Sequence, residues 1–156
     1  MKKQLLHSGW QLTTVGKNDT IPATVPGSVY NDLLNAGRME DPYWRDNEMK
    51  ALALMDEDYR YNTTFDVNAD VLNSERVLLR CEGLDTIADI VLNGEKIASV
   101  CNMHRTWEFD VKDSLKTTGN TLEIVFHSST KYIKEQDKIC HAGGSDDAMV
   151  GFPNLR

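Results

Sequence analysis

Few residues of this chain have the types and spacing that chemistry needs. Its four histidines, His7, His104, His127 and His141, have no other ligand type at metal-binding spacing. A zinc site needs three or four converging Cys, His or carboxylate ligands, so these histidines read as surface or core residues and no metal is expected. The three cysteines form no C-x-x-C pair and no disulfide framework. Cys81 and Cys101 fall in strand patterns and are expected as buried thiols. No phosphate-cradling G-x-x-x-x-G-K-[ST], nucleophile elbow or dinucleotide fingerprint is present, so nucleotide and acyl-transfer chemistry and their cofactors have no support. Gly143-Gly144-Ser145-Asp146-Asp147 lacks the alternating ligands of a calcium loop and reads as the end of a helix. Paired carboxylates remain, because cleaving a glycosidic bond needs two of them roughly 5–10 Å apart. With 24 acidic residues any pair can be nominated.

One stretch stands out, Asp41–Glu48, DPYWRDNE. Tyr43 and Trp44 offer apolar faces to a pyranose ring, while Asn47 and Glu48 can engage pairs of hydroxyls. Trp44, Asn47 and Glu48 are therefore the candidate substrate-binding residues, and no residue is nominated as catalytic. In the plainer alternative Tyr43 and Trp44 pack under the loop as core and Glu48 is solvated. Asn47, between charged neighbours, has less reason to be buried.

The elements that position this stretch are mostly strands. Residues 87–92 (IADIVL) and 95–101 (EKIASVC) flank Asn93-Gly94, the pair best suited to a type I′ turn, and predict a hairpin. Ala88, Ile90 and Leu92 share one face, and Ile87, Asp89 and Val91 the other. Apolar groups on both faces predict a central strand. Period-2 alternation also marks strands near 9–14, 59–67, 77–82, 107–111 and 122–126. Ser28 reads as the N-cap of a short helix, VYNDLLNA, closed by Gly37. Residues 39–58 read as an irregular loop with one helical turn near MKALALM, 129–142 as a second peripheral helix, and 143–156 as a loop-like tail. Seven or eight short strands without βαβ alternation select an all-β antiparallel sandwich, a jelly roll with one or two short peripheral helices.

At 156 residues and 40% apolar content, the chain is expected to be one domain spanning 1–156. A net charge of −7 argues against nucleic acid as a partner. No window reaches the roughly 18 apolar residues of a membrane span, so a soluble protein, cytoplasmic or periplasmic, is expected. A chain that leaves its sandwich through a helix and stops at FPNLR, with no polar tail, suggests a piece of something longer.

Several motifs in order resemble the N-terminal galactose-binding-like domain of glycoside hydrolase family 2, its β-mannosidase branch in particular: VPGSVYNDLLNAG, then DPYWRDNE, Tyr59 to Val67, CEGLDTIADIVLNGE, NMHRTWEFDV and GNTLEIVFHSS. The resemblance implies a jelly-roll sandwich followed by an immunoglobulin-like domain and a TIM barrel that carries both catalytic glutamates. It also implies that a W-D-W-G segment would follow Asn154-Leu155-Arg156. The expected function is thus the non-catalytic N-terminal part of a retaining exo-β-mannosidase, lining the site of a β-mannoside and packing on the barrel. An independent carbohydrate-binding module and a purely structural sandwich are the alternatives. The exposed-face positions are mostly Arg, Asn, Thr, Asp, Glu and Lys, which counts against a module with a row of aromatics.

Overall fold

In a computed structural model, residues 2–140 are described. The elements run β1 (Gln11–Thr14), β2 (Thr20–Pro22), α1 (Val29–Asn35), α2 (Asn47–Leu54), β3 (Tyr59–Phe65), α3 (Ala69–Leu72), β4 (Leu78–Cys81), β5 (Ile87–Leu92), β6 (Glu95–Val100), β7 (Trp107–Asp110), β8 (Asn120–His127) and α4 (Ser129–Ile139). The expected tail at 143–156, with its glycine-rich stretch, and His141 lie outside the described residues.

Two antiparallel sheets make the sandwich, one of six strands in the order β2-β1-β3-β8-β5-β6 and one of two, β4-β7. Alternation decides which side chains meet between them. Leu12, Tyr61, Ile124, Ile90 and Ala88 come from successive strands of the large sheet and are buried in one cluster with Cys81 of β4. Trp107 and Phe109 of β7 pack on the same cluster, their rings stacked 6.5 Å apart. The central position expected for IADIVL is observed: β5 lies between β8 and β6, with Ala88, Ile90 and Leu92 fully buried and the opposite face half-buried. Burying these side chains at roughly 25 cal/mol per Å² is the main stabilising term.

The hairpin turn falls where the sequence puts it. Asn93 and Gly94 have φ of 52° and 83°, the left-handed pair that a type I′ turn requires. Beyond the turn β6 carries one extra residue: Ile90 pairs with Ala98 but Val91 with Lys96, leaving Ile97 as a bulge. The bulge changes the parity of the strand. Lys96, two residues past the turn, shares the outer face with Val91 and reaches Asp89 at 2.8 Å, while past the bulge it is Ala98 and not Ile97 that pairs with Ile90 on the inner face.

Helix α1 has the expected start and stop. The Ser28 hydroxyl oxygen accepts from Asn31 N at 3.3 Å, and Gly37, at φ 67°, allows Arg38 N and Gly37 N to donate back to Leu33 O and Leu34 O. Its inward face buries Leu33 and Asp32. Asp32 accepts from Thr24 N at 3.0 Å and from the Tyr61 hydroxyl at 2.8 Å, pinning the helix and the preceding loop to the sheet. Burial first, and then the facing carboxylate, push the Tyr61 hydroxyl well above the usual phenol range.

The single helical turn expected near residues 49–55 is a two-turn helix, α2, that begins already at Asn47. The single-turn α3 was not expected from the sequence, whereas α4 forms where a second peripheral helix was.

Candidate functional site

The candidate loop is built by backbone and amide bonds within itself. Asp41 Oδ1 accepts from Tyr43 N at 2.9 Å, and Asp41 O accepts from Trp44 N at 3.1 Å, an Asx-type turn closed by a β-turn. Arg45 has φ 55°, a left-handed step that few side chains adopt, and Asn47 N then donates to Trp44 O at 3.2 Å as α2 begins.

This winding throws the two aromatics outward. Tyr43 is 96% exposed and Trp44 63% exposed, and the Arg45 guanidinium carbon lies 5.7 Å from the Trp44 ring centre. Met49, in the first turn of α2, is also exposed. The alternative in which Tyr43 and Trp44 form core under the loop is overturned by these exposures.

Asn47 behaves in the opposite way. It is only 9% exposed, against the expectation that it would stay open to solvent. Its Nδ2 donates to Asp41 O at 3.1 Å and its Oδ1 accepts from Lys50 Nζ at 3.4 Å, while Lys50 also pairs with Glu40 at 2.6 Å. The amide thus ties the first residue of the loop to the first turn of the helix that ends it. Glu48, next in α2, is half-buried, and its charge adds to burial in raising the Tyr30 hydroxyl above its ordinary value. Tyr30 donates to Ala51 O at 3.1 Å, which fastens α2 to α1.

The three nominated residues therefore sit together but differ in presentation. Trp44 faces solvent, Glu48 lies at the margin, and Asn47 is turned inward. As a chemical surface the loop offers one tyrosine and one tryptophan ring, a guanidinium and a carboxylate. This is a set suited to stacking on a sugar ring and bonding its hydroxyls.

The polar anchors that hold this part of the molecule were missed from the sequence. Asp32 falls at i+3 from Val29, on the apolar face of α1, and that misplacement was a readable signal. Asn120 is 0% exposed and makes four bonds: Nδ2 to Lys116 O at 2.7 Å and Phe65 O at 3.4 Å, Oδ1 from Lys116 N at 2.8 Å and Asn93 Nδ2 at 3.0 Å. Asn93 was read for its turn alone, yet its amide also donates to Ser114 O at 2.7 Å and accepts from Thr121 N at 2.9 Å.

The thiols divide. Cys81 is buried, which pushes its thiol up to about 11, but Cys101 is exposed, contrary to its reading as core. Cys101 follows Val100, the last residue of β6, so the strand period no longer applies to it. Among the described residues no cluster of His, Cys, Asp and Glu could hold a metal ion, and no helix is long and apolar enough to cross a membrane.

Comparison with known proteins agrees with this architecture. The sequence model of the glycosyl hydrolase 2 galactose-binding domain-like family matches residues 10–149. The β-mannosidase of Rattus norvegicus is 31% identical over 133 residues, covering 85% of this chain, and β-mannosidase A of Emericella nidulans is 38% identical over 123 residues, covering 77%. The chain spans 15% and 13% of the lengths of those two relatives. Among solved structures, the β-D-mannosidase of Dictyoglomus thermophilum superposes with a TM-score of 0.84 at 35% identity, over 90% of this chain and 18% of that one. The exo-chitosanase CsxA of Amycolatopsis orientalis, at 20% identity and a TM-score of 0.66, shares the fold. A two-sheet antiparallel sandwich and a family match over nearly its whole length together place this chain in the galactose-binding domain-like family of glycosyl hydrolase 2, with β-mannosidases among its relatives.

Proposed function

We propose that the chain is the non-catalytic N-terminal sandwich of a retaining exo-β-mannosidase, and that it carries the loop Asp41–Glu48 to the edge of the sugar site. In this reading Trp44 stacks on the mannoside, Glu48 bonds hydroxyls, and Asn47 holds the loop in the shape that presents them. The immunoglobulin-like domain and catalytic barrel would follow in the same polypeptide. The observation that carries the proposal is the exposed aromatic pair, Tyr43 and Trp44, on a loop whose own bonds fix its shape.

Electrostatics hold three carboxylates of this chain away from the acid role in glycoside cleavage. A glycosidase's proton donor needs a carboxyl with a raised pKa. Where a carboxylate among the described residues is clearly shifted, the direction is downward. Asp58 is lowered although burial opposes it, Asp89 chiefly by the Lys96 ammonium, and Asp110 chiefly by Arg76.

Steady-state kinetics in the longer enzyme provide the test. Trp44→Ala should lower kcat/KM for an aryl β-mannoside about tenfold, the equivalent of roughly 1.4 kcal/mol of lost stacking and bonding, with little change in Tm. Unchanged kcat/KM would remove the loop from the site. The second reading is an independent carbohydrate-binding module, and the same exposed aromatics favour it. Calorimetric titration of the 156-residue chain with methyl β-mannoside separates the two, since millimolar or tighter binding by this chain alone is expected only of a module.

A further inference from the structure

Helix α4 buries none of its residues, and Tyr132 and Ile139 are exposed, so among the described residues no apolar core seats it. Its attachment is polar and concentrated at its first turns. Ser128 accepts from Lys131 N at 3.1 Å and donates its hydroxyl to Met55 O at 2.6 Å. Lys134 pairs with both oxygens of Asp56, at 3.0 and 3.2 Å. Asp58 Oδ1 accepts from Ser128 N at 2.9 Å, satisfying a donor at the start of the helix.

The same Asp58 turns its other oxygen to a histidine. His127 Nδ1 lies 3.2 Å from Asp58 Oδ2 and His127 Nε2 lies 3.0 Å from Asp89 Oδ2. A neutral imidazole has one N–H and one lone pair. With a carboxylate oxygen against each nitrogen, only the doubly protonated ring donates to both; the neutral ring would set one lone pair against another. We propose that His127 is held as an imidazolium between Asp58 and Asp89 and acts as a protonation-dependent clasp, loosening the first turn of α4 when the ring loses its proton.

The groups facing the clasp from each neighbouring element are consistent with this role. Lys96 of β6, on the outer face opposite Val91, meets Asp89 Oδ1 at 2.8 Å, and the Ser99 hydroxyl donates to that oxygen at 2.7 Å. Lys131 of α4 lies 3.9 Å from Asp58 Oδ1. Both lysines thus face the Oδ1 atoms and the histidine the Oδ2 atoms, so the cations do not compete for the same oxygens. Burial works against a charged ring here, but the two carboxylates outweigh it and raise the pKa of His127 above its ordinary value.

The sign follows from linkage. A histidine whose folded pKa is raised contributes fully below its unfolded value, about 6.5, and the contribution is lost as pH rises through the folded value. The lowered carboxylates behave in the converse way: their contribution is present above the unfolded value of 3.8 and disappears as pH falls through their folded values. The clasp is therefore closed between the carboxylate and histidine transitions and opens as pH rises through the folded value of His127.

An NMR titration of the full 156-residue chain tests this. The His127 ring should titrate at a higher pH than a blocked histidine peptide in the same buffer, with both nitrogens protonated below the transition. The Cα shifts of Ser129–Ile139 should move towards random-coil values with the same midpoint. His127→Gln should abolish that pH dependence of the helix, and if this variant does not fold, the wild-type titration alone decides. A His127 midpoint at or below that of the blocked peptide, or helix shifts that stay constant while the ring titrates, would overturn the proposal.

Discussion

Two asparagines of this molecule, one in the hairpin turn and one at the head of α2, do opposite work. The partners of the Asn93 side chain lie 21, 27 and 28 residues away in sequence, at Ser114, Asn120 and Thr121. Those of the Asn47 side chain lie six and three residues away, at Asp41 and Lys50. An amide that joins distant segments holds the fold together, whereas one that closes its own loop sets only the shape of that loop. The lesson is that the candidate site is attached to the scaffold without being part of what stabilises it, an arrangement that lets a binding loop vary on a constant sandwich.

The sharpest way to break this contrast is to remove the buried partner of Asn93. Asn120→Ala leaves Asn93 Nδ2, Phe65 O and both polar groups of Lys116 short of a partner, and should cost about 3 kcal/mol, read as a lowered urea midpoint at unchanged slope. A midpoint equal to that of wild type would mean that the amide network does not hold the fold. Gly94→Val comes next. There is space for a side chain, with nothing within 4 Å of a Cβ, but φ is +83°, so the expected cost is the left-handed strain alone, roughly 1–2 kcal/mol. Coincident denaturation curves would show that the hairpin tolerates another turn.

Smaller effects are expected in the loop. Asn47→Ala removes two short-range bonds and should lower stability by about 1 kcal/mol, while in the longer enzyme kcat/KM should drop about tenfold because the aromatics lose their fixed orientation. Loss of stability with unchanged kinetics would make the loop a packing element. Tyr43→Ala should be the mildest, within about 0.5 kcal/mol of wild type by thermal unfolding, since the ring is almost wholly exposed. A larger loss would show that the ring has a structural partner and would blur the line between scaffold and site.

The legible parts of the sequence were those with a short physical period or a strict backbone demand. Tyr59–Phe65 and Asn120–His127 announce themselves by alternation, and Asn93-Gly94 by the left-handed φ that few residues accept. Ser28 marks the start of α1 by its capping hydroxyl, and Gly37 its end by the same left-handed φ. Polar pairings over long sequence distances leave no such period. Asp32 to Tyr61 and His127 to Asp58 depend on which strands become neighbours, which follows only after the sheet is assembled. In the loop, Tyr43 and Trp44 were legible as residue types but not as exposed ones, because aromatics are found equally under loops and on them. The retracted position of Asn47 depends on α2 beginning two residues earlier than MKALALM suggests.

The extra residue at Ile97 also matters to encounters between molecules. Strand β6 ends the six-stranded sheet, so its outer backbone edge is a template on which an extended segment of another chain could add itself. A flat edge of this kind invites runaway stacking into fibrils. With the register broken between Ile90 and Val91, an incoming strand finds its ladder interrupted after a few residues, with the ammonium of Lys96 close to the break. The irregularity is thus also a guard against self-association, placed on an edge strand of the sheet.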